Sequence, residues 1–159
     1  MRDFMSAEYG IRLEDPRQDD VLRMLSALDR YLQSLYPPES NHILDIAALC
    51  APDIRFWVAR LEGVAHGCGA LRIANGYGEV KRMYVAPEAR GRRLGRAILA
   101  CIEDRAAREG IALMRLETGI HQAAAHALYR SGGYAECAPF GEYRQDPLSV
   151  FMEKRLVTR

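Results

Sequence analysis

The 159-residue sequence has little net charge and no long apolar run, and each absence excludes a class of protein. With 22 basic and 21 acidic residues its formal charge is +1, so overall charge favours neither a nucleic-acid partner nor a membrane surface. Its apolar runs are short and interrupted by charge, so we expect no membrane-spanning helix. Met1–Phe4 leads into no long apolar stretch, so we expect no signal peptide.

Cysteine is sparse, and the sequence has no paired cysteine motif. The four cysteines stand far apart, which favours reduced thiols over a disulfide framework. The four histidines also lack ligand spacing, since His121 and His126 are five residues apart and would lie on different faces of a helix. We therefore expect a cytoplasmic protein without a metal site.

The composition, 49% hydrophobic and 27% charged, is typical of a folded globular protein. At this length we expect one domain over residues 1–159, because there is no room for a second full core.

Hydrophobic periodicity predicts early helices, antiparallel strands in the middle, and then alternating strands and helices. This order indicates an α+β (mixed α/β) fold. The predicted strands are Gly10–Glu14, Ile54–Arg60, Val64–Ile73, Gly78–Val85, Ile111–Thr118, Tyr134–Cys137 and Ser149–Leu156. The predicted helices are Asp19–Leu35, Ile43–Leu49, one that follows the loop 86–91 and ends before Gly110, and Ala123–Arg130.

A segment rich in glycine and arginine, Arg90–Arg96, lies between the strand Gly78–Val85 and the helix that follows it. Free amides at a helix start form an anion site, and Gly91 and Gly95 allow close backbone approach. The four arginines suit phosphate, whereas without an anion each opposes the helix dipole by about 0.3–1 kcal/mol. The segment therefore favours a phosphorylated ligand over a solvated basic turn. Neither the P-loop pattern nor G-x-G-x-x-G is present.

The same segment resembles the acetyl-CoA motif of the GNAT acetyltransferases. Val85-Ala86-Pro87 and Arg90-Gly91-Arg92-Arg93-Leu94-Gly95 follow the pattern Val-x-Pro, then Arg/Gln-x-x-Gly-x-Gly/Ala. Arg93 replaces the first motif glycine, which keeps the backbone amide but adds a side chain near the expected pyrophosphate.

Later residues extend the resemblance over nearly the whole chain, from Ile11 to Leu156. They are Leu116-Glu117-Thr118, Gln122, Ala124-Ala125, Leu128-Tyr129 and Gly133-Tyr134. Pro37–Ser40, Gly67–Leu71, Leu116–Gly119 and the region 139–152 also resemble a bacterial subgroup, often labelled indole-acetate or amino-group acetyltransferases.

The resemblance implies a central, mostly antiparallel twisted sheet with a parallel strand pair at an acetyl-CoA cleft, flanked by about four helices. It implies direct acetyl transfer to an amine in a ternary complex. Main-chain groups of Met83 and Val85 would hold the pantetheine arm, with the Val85 N–H on the thioester oxygen. The implied cofactor-binding residues are Met83, Tyr84, Val85, Arg90, Gly91, Arg92, Arg93, Leu94, Gly95, Arg96 and Gln122.

Two residues are candidates for proton transfer. The resemblance implies that Tyr129 is the general acid, although its spacing alone favours a core tyrosine. Glu117 ends a predicted strand, where it could deprotonate the amine or pair structurally with Arg115 or Arg72. The sequence leaves both roles of Glu117 open.

The acceptor pocket is predicted from two loops. Glu39 and Ser40 are placed on one wall, and Phe140 and Tyr143 of the loop Pro139–Pro147 on the other. The alternative for this loop is a rigid connection without ligand contact.

We therefore expect an N-acetyltransferase that acts on a small amine or an amino acid, and the resemblance is compatible with a homodimer. Alternatives are acetylation of a protein or peptide amine and a non-catalytic CoA-binding regulatory module. Nucleic-acid binding is disfavoured because no aromatic residues interleave with the arginines.

Overall fold

The computed structural model describes residues 9–157, and the expectation for Met1–Phe4 lies outside that range. In this range seven strands form one sheet in the order β1-β2-β3-β4-β5-β7-β6. The strands are β1 (Gly10–Leu13), β2 (Ile54–Leu61), β3 (Val64–Ala74), β4 (Tyr77–Val85), β5 (Leu113–Gly119), β6 (Ala135–Glu136) and β7 (Ser149–Arg155). The helices are α1 (Asp19–Leu35), α2 (Ile46–Leu49), α3 (Leu94–Arg108) and α4 (Ala123–Ser131).

All neighbouring strands are antiparallel except β4 and β5. These two run parallel because α3 carries the chain back to the same end of the sheet between them. The prediction of a mixed α/β fold with one parallel pair is confirmed.

Each face of the sheet packs on its own helices. One core contains Leu71, Val80 and Leu116 from the strands with Ile98 and Ile102 from α3. The other core buries α1 and α2 on β2 and β3, through residues that include Val21, Leu25, Leu49, Phe56 and Val58. Alternate strand residues therefore serve opposite cores.

The sheet divides in the middle, between β4 and β5. Their pairing ends at Val80 and Leu116, although β4 continues to Val85 and β5 to Gly119. A bulge in β4 against β3 coincides with Arg82, whose φ is +56°. Because a bulge bends its strand, β4 turns away and leaves a cleft between two unpaired strand edges.

The predicted elements agree with the structure to within one or two residues at most ends. The prediction of a helix from Ile43 was wrong: α2 begins at Ile46 because the Asp45 side chain caps it, accepting the Ala48 N–H at 2.8 Å. A 3₁₀ turn, Pro38–Ser40, precedes it. No helix in the described range is long and apolar enough to cross a membrane.

Candidate active site

A cavity of about 530 Å³ opens where β4 and β5 separate. Its walls come from the second half of α1, the segment 36–43, the two free strand edges, the start of α3, and α4. One cavity thus joins most of the residues that the sequence singled out.

The start of α3 forms one end of this cavity. Arg93 precedes the helix in the left-handed conformation, with φ 60° and ψ 23°, and its side chain does not cap the helix amides. Those amides are therefore available to an anion. Among the predicted cofactor residues here, Arg90, Gly91, Arg93, Leu94, Gly95 and Arg96 line the cavity, whereas Arg92 does not.

The free edge of β4 forms the next wall, with Met83, Tyr84 and Val85. The Ala86 N–H bonds to β3 through His66 O at 2.8 Å. Because successive amides of a strand point to opposite sides, the preceding Val85 N–H points to the unpaired edge. On the same side, Arg90 Nε donates to the Val85 carbonyl at 3.2 Å.

Glu117 lies on the facing edge, just beyond the last paired residue of β5. Its Oε2 accepts a hydrogen bond from Ser149 Oγ at 2.9 Å. No described residue forms an ion pair with it: Arg115 pairs with Glu153, and Arg72 contacts Asp53 and Glu79. The pairing with Arg115 or Arg72, one of the two roles left open for Glu117, is therefore not formed.

The environment of Glu117 acts on its pKa in both directions. Burial raises the pKa, while the Ser149 hydroxyl and the nearby His42 and Lys81 oppose that rise. The net effect is a raised pKa, which suits a carboxylate that accepts and releases a proton.

Tyr129 reaches the cavity from the other face of the sheet. It projects from α4, is 6% exposed, and packs edge-on against Tyr134 at a centroid distance of 5.8 Å. Its hydroxyl has no hydrogen-bond partner between residues 9 and 157. Burial raises its pKa, so the phenol stays protonated throughout the neutral range.

Gln122 and Tyr36 order the turn after β5. The Gln122 side chain accepts the Gly119 N–H at 2.9 Å, and Tyr36 Oη accepts the His121 N–H at 3.1 Å. A Cβ at Gly119 would lie 1.8 Å from Tyr36 Oη, so only glycine fits beneath this tyrosine. Gln122 and Tyr36 both line the cavity.

The predicted acceptor residues separate into two groups. Ser40 lines the cavity and donates to Asp146 Oδ2 at 2.7 Å. Glu39 is exposed, and Phe140 and Tyr143 pack behind the wall, so none of these three lines the cavity. Tyr143 instead donates to Glu79 at 2.5 Å, so the loop supports the wall.

Sequence reasoning missed Lys81, Ser149, Tyr36 and the cavity-facing side of α1. Leu28 and Leu32 belong to the apolar stripe from which periodicity predicts the helix Asp19–Leu35. No local signal distinguishes a stripe that faces a cavity from one that faces a core. The Glu117–Ser149 contact spans 32 residues and has no local pattern.

Comparison with known proteins gives a consistent set of relatives. The profile of the acetyltransferase (GNAT) family matches residues 21–134. The chain is 55% identical over 148 residues to an IAA acetyltransferase from Azospirillum brasilense, covering 92% of this chain and 97% of that protein.

Two solved structures illustrate the structural similarity. One, from Klebsiella pneumoniae, carries the provisional name acyl-CoA N-acyltransferase. It is 37% identical to this chain, with a TM-score of 0.79, and the alignment covers 94% of this chain and 98% of the Klebsiella chain. The PaiA N-acetyltransferase from Thermoplasma acidophilum, solved in complex with coenzyme A, has a TM-score of 0.72. The two sequences are 18% identical, and the alignment covers 93% of this chain and 99% of the PaiA chain. At this identity the similarity shows the fold alone.

Proposed function

The chain belongs to the GNAT acetyltransferase family and is an N-acetyltransferase, and we propose that it transfers the acetyl group of acetyl-CoA directly to the amine of a small molecule or amino acid. The observation that carries the proposal is the single cavity that joins the start of α3 to Glu117 and Tyr129. The name of the Azospirillum relative supports a small acceptor.

The residues present suit acetyl-CoA as a co-substrate. The amides at the start of α3, with Arg90, Arg93 and Arg96, would bind its phosphates. The free edge of β4 would bind its amide-containing arm as an added strand does. The co-substrate supplies an activated acetyl group, and the Val85 N–H is our candidate donor to the acetyl oxygen.

Glu117 and Tyr129 would each move one proton. Glu117, which forms no ion pair within the described chain, binds the acceptor ammonium and takes one proton. The neutral nitrogen then bonds to the acetyl carbon while the carbon–sulfur bond breaks, and the nitrogen loses its second proton to solvent as the amide forms. Tyr129 gives its proton to the departing sulfur, so free CoA leaves as a thiol.

The test combines calorimetry with thiol release. Wild-type chain is expected to bind acetyl-CoA and to release thiol only when an amine is present. Gly95→Asp places a carboxylate among the phosphates and should weaken binding by more than tenfold, which corresponds to about 1.4 kcal/mol. An acidic residue suits the first turn of a helix, so this variant should stay folded.

Gly95→Ala is the matched control. The added Cβ would lie 3.3 Å from the flexible end of Leu128, which can shift, so acetyl-CoA affinity should stay near wild type. Equal affinity in the Asp and Ala variants would exclude this phosphate site. Binding without thiol release for any amine would point to the non-catalytic alternative.

We also predict a single acetyltransferase domain over residues 1–159, a cytoplasmic location and a homodimer. Sedimentation of the purified chain would test the dimer.

A further inference from the structure

Helix α1 changes its role along its length. In its first half Val21, Met24 and Leu25 pack into the core against β2 and β3. In its second half Leu28, Tyr31 and Leu32, at spacings of three and four, line the cavity instead. Tyr31 is 44% exposed there. Leu28 is itself buried, so the apolar surface that this stripe offers to the cavity comes mainly from Tyr31 and the half-buried Leu32, and such a lining favours an apolar ligand.

The charges of this part of the cavity are unevenly paired. The Lys81 ammonium donates to His42 O at 3.0 Å and to Tyr143 Oη at 2.8 Å, and it lies 3.6 Å from the Glu79 carboxylate. Arg82 forms an ion pair with Asp29. The remaining Arg82 Nε is buried away from solvent without a hydrogen-bond partner.

Glu117 is the exception to this pairing. Its hydrogen bond comes from a neutral serine, and no cation in residues 9–157 forms an ion pair with it. In this part of the cavity the Glu117 carboxylate therefore lacks an ion-pair partner, whereas Lys81 and Arg82 are paired with Glu79 and Asp29. A ligand that brings a cation would be attracted, and one that also brings a carboxylate would be repelled by Glu117.

From these two observations we propose that the acceptor is a primary amine with an apolar, ring-sized body and no carboxylate. Its ammonium meets Glu117, and its body lies along Leu28, Tyr31 and Leu32. This rests on the proposed acetyl transfer and narrows it to one class of amine.

Four probes separate the elements of the proposal. 2-Phenylethylamine has the ammonium and the ring, L-phenylalanine adds a carboxylate, ethylamine lacks the ring, and indole-3-acetate has ring and carboxylate without an amine. The measurement is kcat/KM from thiol release at saturating acetyl-CoA. We expect 2-phenylethylamine to exceed both L-phenylalanine and ethylamine by about tenfold or more, and indole-3-acetate to release no thiol.

A substitution on α1 tests where the apolar body of the amine lies in the cavity. Leu32→Asn should lower kcat/KM for 2-phenylethylamine by about tenfold and leave ethylamine unchanged. Leu35→Asn is the matched control, because Leu35 is half-buried on the same helix but does not line the cavity. It should affect neither amine.

The outcomes separate this inference from its premise. Thiol release with L-phenylalanine, ethylamine or indole-3-acetate at the level of 2-phenylethylamine overturns the inference alone. An equal loss for both amines in Leu32→Asn also overturns it, since that indicates a structural effect. A wild-type chain that binds acetyl-CoA yet acetylates no amine contradicts the proposed function itself.

Discussion

Glu117 and Tyr129 approach the same cavity from opposite faces of the sheet, and their surroundings differ in kind. Burial raises the pKa of Glu117, and the hydroxyl donor from Ser149 and the nearby Lys81 only partly oppose that rise. Tyr129 lies within the apolar core beneath α3 and α4, where burial favours the neutral phenol. These surroundings are compatible with the proposed roles of Glu117 as base and Tyr129 as acid.

Tyr129→Phe tests the acid. The change removes one oxygen that has no partner in the described chain, so folding and acetyl-CoA affinity should persist. Loss of a general acid typically costs 10²–10⁴-fold, and we expect kcat to fall within that range. Turnover at saturating acetyl-CoA is the measurement. Tyr134→Phe, which loses a hydrogen bond to Glu103 outside the cavity, is the control and should keep its turnover.

Ser149→Ala tests the effect of the Ser149 hydroxyl on the pKa of Glu117. The Ser149 hydroxyl stabilises the carboxylate, so its removal should raise the pKa of Glu117 further. Because the base must be ionised, the acid limb of the kcat/KM profile should move to higher pH. Ser149→Thr keeps the hydroxyl, so the acid limb of its kcat/KM profile should lie at the wild-type pH.

Glu117→Gln should reduce the rate most near neutral pH and recover partly as free amine accumulates at higher pH. In that background Ser149→Ala should leave the pH profile unchanged. A profile that still moves would show that Ser149 acts elsewhere.

Among the elements, the start of α3 combines local strain with the phosphate-binding role that we propose for it. A non-glycine residue in the left-handed region costs about 1–2 kcal/mol, and Arg93 adopts that region. Arg93→Gly should therefore raise the unfolding midpoint by about 2–8 °C, while loss of the cation weakens acetyl-CoA binding. Arg93→Lys should change neither. A melting point that falls in Arg93→Gly would mean that the side chain stabilises the loop.

The sequence predicted the elements well where the signal is local. The periodicity of α1 and the alternation of β2 are properties of ten or so adjacent residues. The 3₁₀ turn Pro38–Ser40 was not predicted, and Ser40 at its end bonds Asp146 across 106 residues. The delayed start of α2 was missed although its signal, the Asp45 cap, is local.

The residues of the candidate site also differ in whether a local sequence signal predicts their role. The start of α3 could be predicted because its glycines and arginines are consecutive. The cavity-facing role of Leu28 and Leu32 could not, because it depends on how far β4 and β5 separate. Phe140 and Tyr143 belong to the loop that supports the acceptor wall, one layer behind the surface for which they were proposed.

For the molecule as a whole, the loop between β6 and β7 joins distant parts of the chain. Tyr143 of this loop bonds Glu79 and Lys81 of β4. Glu79 is fully buried, and its Oε1 has no hydrogen bond and only an ion-pair contact with Arg72 at 3.6 Å. Tyr143→Phe would leave a buried carboxylate with still fewer partners. We expect a loss of about 1–3 kcal/mol in the free energy of unfolding, measured by denaturant titration.

Tyr77→Phe is the control for this substitution. Tyr77 packs on Phe140 in the same aromatic group, and its hydroxyl has no hydrogen-bond partner in the described chain. Its loss should have little effect. Similar destabilisation in the two variants would assign the role of Tyr143 to its ring.

The split between β4 and β5 has a consequence for the path of protons. If Glu117 takes one from the amine and Tyr129 gives one to sulfur, the two belong to opposite sides of the sheet and are never the same proton. Each turnover then leaves one side a proton richer and the other a proton poorer. Solvent must restore both before the next cycle, so the base and the acid would be reset independently of each other.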